Sequence, residues 1–390
     1  MRFWEKLFAP KSVTNASPVV DSPIKTPTRN ILLMLPWLPV SGIETLYTGR
    51  FKSLGDGFSF TVVTTSKADD SMGDRTAAFE KLGCEVVHLP QISDSAEVQK
   101  EKLFEILRRG NFDVLIMVGC TMAYDLLPEI KALYPALNVI DELWDCGKHM
   151  QRSRNLSHLI SHTIVPTSSL AHSLKADSNI ACASIEVIRC GLNVPSAEIR
   201  AAAKVAGEKV LPEYCKNKFL VSFFGRLAPE KNAELFVEIV NKLKDVEGMA
   251  FCLVGDGPSA KAVRRLVAQY ELTEKVYCPG LVESVDPLMS VSDLVVLPSI
   301  TDGQPLVLLH AGVFSKPVIA SRVGSIDVVI RDGENGFLVE SGDLEGFCEK
   351  IMALYHNPEL TRQLGDTGFK VVQSEFDEKM INRQFAALLN

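Results

Sequence analysis

Two cations stand five residues apart in FFGRLAPEKN, residues 223–232: Arg226 and Lys231. A strand-like run ends at Phe224, Gly225 permits a tight turn, and a helical pattern (NAELFVEIVNKL) starts near Asn232. Both side chains can therefore reach over the carboxyl edge of a sheet beside a helix start. Such a place suits a diphosphate, because amides donate, the helix dipole favours the anion, and a guanidinium grips two oxygens. A solvated Arg/Lys pair near Glu230 is the competing reading.

A second constellation is DGQPLVLLHAG, residues 302–312. Pro305 fits the first turn of a helix. Amides around Gly303, Gln304, Pro305 and Leu306 would then point out of its start. Asp302 and His310 would lie roughly 10 Å apart at about 1.5 Å per helical residue, far enough to touch two parts of one elongated ligand. The alternative is that Asp302 caps the helix and His310 is a core or surface histidine.

Weaker signals accompany these. In LVGDGPSAKAVRRLV, residues 253–267, Asp256 and Gly257 sit in a turn between strand and helix. Gly280 occupies a similar turn, and Gly42 does so in PWLPVSGIETLYTGRF, residues 36–51, where its amide would meet a phosphate. DELWDCGKHM, residues 141–150, offers Asp141, Glu142, Trp144, Lys148 and His149 as alternative cleft residues. No GxGxxG occurs, which disfavours a dinucleotide oxidoreductase.

These residues need a scaffold with many strand-to-helix turns on one edge, and the hydrophobic pattern supplies one. From residue 30, apolar runs such as ILLMLPWL, FSFTVVTT and FDVLIMVG alternate with helical stretches at 74–83, 95–109 and 121–134. The alternation restarts at KFLVSFFGRL and continues through MAFCLVGDGP, DLVVLPS and NGFLVESGD. Continuous Val/Ile/Leu runs spaced by helices predict buried parallel strands in an α/β layer fold. The predicted organisation is a flexible segment 1–29, a Rossmann-like domain 30–195, a linker 196–216, a second Rossmann-like domain 217–374, and a helix 375–390 that is a candidate to pack back on the first domain. The tail from 344 onward reads as helical throughout.

Bulk properties narrow the class. A chain of 390 residues favours two domains. Net charge −7 argues against nucleic acid as a partner. Nine cysteines at irregular spacing, without a CxxC pair, read as small reduced hydrophobes. With no signal-peptide pattern and no apolar run of about 18 residues, the expected location is cytoplasmic. MRFWEKLF, residues 1–8, places Phe3, Trp4, Leu7 and Phe8 on one helical face. That is a candidate foot on the inner face of a membrane, against the plainer reading of an unstructured start.

Taken together, GRLAPEKN, LVGDGP, YCPGLV, SDLVVLPS, DGQPLVLLHAG, KPVIASRVGSIDVVIRDGENGFLV and IRCGLNV resemble the group 1 (family 4) retaining glycosyltransferases. The resemblance covers nearly all of 188–343 and implies the GT-B fold, two Rossmann-like domains whose parallel sheets face a central cleft. It implies a nucleotide diphosphate sugar donor, UDP- or GDP-linked, bound by the second domain. A glycan or lipid-linked acceptor would bind the first, with Asp141, Glu142, Trp144 and His149 as its candidate contacts. Arg226 and Lys231, with Gly42 and Gly225, would hold the diphosphate. Asp302 would act at the reacting sugar. Asp256, Gly257, Gly280, Gly303, Gln304, Pro305, Leu306 and His310 would hold the rest of the donor. No D-x-D occurs in the chain, so neither metal nor a further cofactor is expected, and cations with a helix start would stabilise the leaving diphosphate. No carboxylate stands out as a nucleophile, which points to front-face attack with retention.

The chain departs from the family pattern at two places. The family motif has glutamates where Asp302 and His310 stand here. A neutral imidazole offers one acceptor nitrogen, so donor binding should lose on the order of 1–2 kcal/mol. Many members also carry a histidine where this chain reads Gly119-Cys120-Thr121. An inactive relative that serves as a binding or assembly partner, and a nucleotide-sugar epimerase or hydrolase, are the alternative readings.

Overall fold

The computed structural model describes residues 29–38, 42–67, 74–144, 147–176, 184–303 and 305–389. The candidate foot at 1–8 and Gln304 lie outside the described residues.

The first sheet contains β1 (Arg29–Leu35), β2 (Phe58–Thr64), β3 (Glu85–His88), β4 (Val114–Val118), β5 (Asn138–Glu142), β6 (His162–Val165) and β7 (Ser184–Val187). They lie in the order β3-β2-β1-β4-β5-β6-β7, and every pairing is parallel. The apolar run Ile31–Leu35 explains the layering, because no residue in it is more than 1% exposed. Successive side chains of a strand point to opposite faces. Accordingly Ile31, Leu33 and Leu35 enter one core, and Leu32 and Met34 enter another on the far side. A strand covered on both faces has no place for alternating polar residues.

The second sheet contains β8 (Phe219–Phe224), β9 (Met249–Val254), β10 (Val276–Gly280), β11 (Leu294–Leu297), β12 (Val318–Ser321) and β13 (Gly336–Val339). Their order is β10-β9-β8-β11-β12-β13, again all parallel. The two sheets thus share one topology, with the strand order reversing between β1 and β4 and between β8 and β11. Open α/β sheets place ligands in the crevice at the carboxyl ends of such a switch point.

The segment 196–216 is mostly helix, Ala197–Val210, capped by Ser196 Oγ, which accepts from the Ile199 amide at 3.4 Å. It packs on the second domain closely enough that a methyl group at Gly207 would sit 2.1 Å from the Pro287 carbonyl oxygen.

The tail forms three helices, Leu344–Tyr355, Pro358–Glu375 and Glu378–Leu388. The breaks have local causes. Asn357 and Asp377 accept from the Leu360 and Met380 amides, each at 3.1 Å, and so start new helices. Pro358 fits the first position of the helix that follows Asn357.

The tail crosses back beside the outgoing chain. The Leu192 amide donates to Phe376 O (2.9 Å) and the Glu378 amide to Leu192 O (3.2 Å). Phe376 belongs to the second domain's core, whereas Ile381, Phe385 and Leu389 fill the first domain's core. Arg50 lies 4.3 Å over the Phe385 ring and pairs with Glu142 at 2.7 Å. No described helix is long and apolar enough to cross a membrane.

Candidate functional site

Three turns brace one another at the carboxyl edge of the second sheet. The Gly225 amide donates to Val254 O (3.1 Å), that of Leu227 to Asp256 O (2.8 Å), and that of Gly255 to Gly280 O (2.9 Å). Gly255 has φ 140°, and a Cβ there would fall 1.9 Å from the Gly225 carbonyl oxygen. Only glycine fits that conformation at that spacing. Asp256 is spent on the turn itself, accepting from the Gly257 amide at 2.8 Å. Gly280 has φ 78° and open space where a side chain would stand.

Arg226 and Lys231 both rise from the turn after β8. The helix anticipated near Asn232 begins there, Ala233–Leu243, after a short 3-10 turn over Pro229–Lys231. Arg226 pairs with Glu230 at 2.5 Å and remains 44% exposed. Lys231 pairs with Asp302, whose carboxylate is 7% exposed and also accepts from Ser299 Oγ at 3.2 Å. Asp302 therefore holds Lys231 in position across the gap between the β8 and β11 loops.

The helix after Asp302 runs Leu306–Val313, with Pro305 at its N-cap rather than inside its first turn. Its backbone is extended there (φ −70°, ψ 118°), and among the described residues no side chain caps the helix start. Amides at such an end are available to an anion. The loop before it is held by Gly324. This residue has φ 57°, and a Cβ on it would fall 1.6 Å from Asp302 O. His310 does not share a partner with Asp302, since its Nδ1 lies 3.5 Å from Asp286 Oδ1.

The first domain meets this edge directly. A methyl group at Gly42 would sit 3.2 Å from Leu306 Cδ1, and one at Gly303 would sit 2.8 Å from the Trp144 carbonyl oxygen. Trp144 packs against the cores of both domains. Thr167 Oγ1 and Ser325 Oγ are 3.1 Å apart across the same gap. β4 runs between β1 and β5, and the His149 ring lies over Gly119 at its end, with Cδ2 and Nε2 both 3.9 Å from where a Cβ would be. His149 is half-buried and stacks on Tyr124, with centroids 5.6 Å apart. A histidine from the helix Lys148–Asn155 thus stands over the strand end that lacks one of its own. Lys148 is exposed.

Asp141 and Glu142 are a correction. They were anticipated as acceptor-side cleft residues, but their exposure is 0% and 1%. Both lie on β5, under the domain surface. Glu142 accepts from Arg50 and Tyr47, and Asp141 accepts from Tyr124 at 2.7 Å. Burial pushes the Asp141 carboxyl up to about 7, partly offset by Ser153 and Tyr124, with Glu142 beside it adding to the rise. Burial and the neighbouring carboxylate likewise push the Tyr47 hydroxyl up. These groups support the loop that carries Trp144 and do not line the cleft. Among the described residues, no three His, Cys, Asp or Glu side chains converge in a way that would hold a metal ion.

Residues 212–371 match the family described as glycosyl transferases group 1. The match takes in all six strands of the second sheet. N-acetyl-alpha-D-glucosaminyl L-malate synthase of Bacillus anthracis is 34% identical over 136 residues, 35% of this chain and 36% of its own length. The lipopolysaccharide core biosynthesis glycosyltransferase LpsE of Rhizobium meliloti is 26% identical over 170 residues, 44% of this chain and 49% of its own. The matched segments thus span half or less of these relatives. Among solved structures, Anabaena HepE in complex with UDP and glucose superposes with a TM-score of 0.75 at 18% identity, covering 93% of this chain and 99% of that one. Sucrose-phosphate synthase from Thermosynechococcus elongatus gives 0.74 at 18% identity, covering 92% and 98%. The architecture is GT-B, as the motif resemblance implies.

Sequence reasoning missed Asp286, Thr167 and Ser325. Each lies on an element remote in sequence from its partner. Asp286 gave one signal, an acidic residue ahead of a proline at a helix start.

Proposed function

We propose that the chain transfers a sugar from a nucleoside diphosphate donor to a glycan, lipid-linked or other acceptor, with retention and without metal. The observation that carries this reading is the uncapped helix start at Leu306, set opposite Gly42 and beside the Arg226 and Lys231 turn. In this reading the bond between the anomeric carbon and the diphosphate oxygen breaks, and the electron pair leaves with the diphosphate. The acceptor hydroxyl oxygen bonds to the same face of that carbon, and its proton passes to the departing diphosphate. Arg226, Lys231 and the helix amides stabilise the charge that develops there. The transition state is oxocarbenium-like, as in glycoside hydrolysis. Asp302 acts as a positioning residue for Lys231, and His149 faces the reacting sugar from the first domain. UDP-sugars are the first donors to test, because HepE was solved with UDP and glucose. With a lipid-linked acceptor, residues 1–8 would give the enzyme its membrane contact.

The test is nucleotide release from a panel of UDP-, GDP- and ADP-sugars, with and without a lipid or glycan acceptor. Arg226→Ala with Lys231→Ala should lower turnover by at least about 100-fold. Unchanged turnover would remove the diphosphate assignment, and donor turnover that ignores acceptor would favour an epimerase or hydrolase.

One observation favours a second reading, a non-catalytic partner of the same fold. Arg226, Lys231 and His310 each pair with a carboxylate of the chain itself. Calorimetry separates the two readings: no heat with UDP or GDP at millimolar concentration would support the partner role.

A further inference from the structure

We propose that Asp286 supplies the carboxylate that accepts the hydroxyls of the donor's ribose, with His310 holding it in place. This rests on the nucleoside diphosphate sugar reading above. Asp286 opens the helix Asp286–Val291, which follows β10 and the Gly280 turn. Its Oδ1 lies 3.5 Å from His310 Nδ1. His310 stands four residues into the helix whose start faces the cleft, about 6 Å along its axis from Leu306. A ribose is joined through its 5′ carbon to the phosphate, and one helical turn, about 5.4 Å, is within its reach from a diphosphate at the helix start.

The chemistry of the pair fits vicinal hydroxyls. A carboxylate is acceptor-only and has two oxygens, enough for two O–H donors. With Nδ1–H turned toward Asp286, the other imidazole nitrogen is a further acceptor. Among the described residues no lysine or arginine pairs with Asp286, so its charge is not already neutralised by a fixed cation. The side chains of Asp286 and His310 are 37% and 23% exposed, open enough for a ligand to reach. A negative group that position 310 does not provide is thereby offered from a neighbouring helix.

The experiment is calorimetry on the full chain with UDP, GDP, their 2′,3′-dideoxy forms and inorganic pyrophosphate. The wild type should bind one ribonucleotide about 10- to 100-fold more tightly than its dideoxy form, the range expected for hydroxyls bonded to a charged acceptor. Asp286→Asn should abolish that preference and leave pyrophosphate affinity unchanged. Adding His310→Glu to Asp286→Asn should restore it. Asp286→Ser, which keeps a helix-starting residue, gives the same readout if the asparagine variant fails to fold. A full ribose preference retained in both Asp286 variants would overturn the role of Asp286 and leave the nucleotide reading intact. No binding of any nucleotide by the wild type would overturn both.

Discussion

Glu142 offers the sharpest separation of structural from functional carboxylates. Its side chain is 1% exposed and its partner Arg50 is 0% exposed, at 2.7 Å. Burial works against the Arg50 charge, and the Glu142 carboxylate more than restores it, so the guanidinium is held even more firmly protonated than usual. Glu142→Gln removes the counter-charge and leaves that guanidinium in the interior beside Tyr47 and Phe385. Breaking one side of a buried pair costs about 3–5 kcal/mol. For a domain of this size each kcal/mol lowers Tm by roughly 2–4 °C, so the expected drop is about 6–20 °C. Removing the cation as well, Arg50→Met with Glu142→Gln, should recover most of it, because no charge is then left without a partner and the side-chain amide oxygen can still accept from Tyr47. Scanning calorimetry and urea unfolding with an intrinsic fluorescence probe measure both. A loss below about 1 kcal/mol in Glu142→Gln, or a double variant no better than the single, would refute the account of this pair as a buried support.

Three further outcomes follow from the same structure. Asp141 titrates near 7 when folded and near 3.9 when unfolded, so between those values the native state binds more protons and stability falls as pH rises. Asp141→Asn should abolish that decline and gain up to roughly 4 kcal/mol over the wild type at pH 8, with little difference at pH 4; parallel urea curves at the two pH values would contradict this. Phe385→Ala should cost about 3–5 kcal/mol and expose the chain near Phe376–Glu378 to proteolysis, since the ring is fully buried in the opposite domain's core. Gly324→Ala should lower nucleoside diphosphate affinity at least about tenfold by pushing the Asp302 loop, because its Cβ would fall 1.6 Å from Asp302 O at φ 57°; calorimetry with UDP showing wild-type affinity would count against that coupling.

Much of the fold was legible because its signals are local. Ile31–Leu35 is continuously apolar for the reason that both faces of β1 are covered, and the same holds for Leu294–Leu297 on β11. Gly255, read only as part of a turn, has a conformation and clearance that no other residue fits. The breaks at Asn357 and Asp377 went unread: these are ordinary helix-cap residue types, but the helical pattern around them reads through.

The candidate site divides differently. Sequence by itself determined which turns carry Arg226, Lys231 and Asp302, because a strand end, a glycine and a helix start are written within about ten consecutive residues. It also determined that position 310 is a histidine, and therefore that a carboxylate is missing there. Tertiary structure decided where each charge is spent. Lys231 faces Asp302, 71 positions further along the chain, and His310 faces Asp286 from another helix. It also sent Asp141 and Glu142 inward on β5 while bringing His149 over Gly119. The physical reason is that hydrophobic periodicity specifies which face of an element is buried, whereas an ion pair depends on distances between elements that only packing sets. A carboxylate at the end of a strand reads the same in sequence whether a cleft or an arginine waits in front of it.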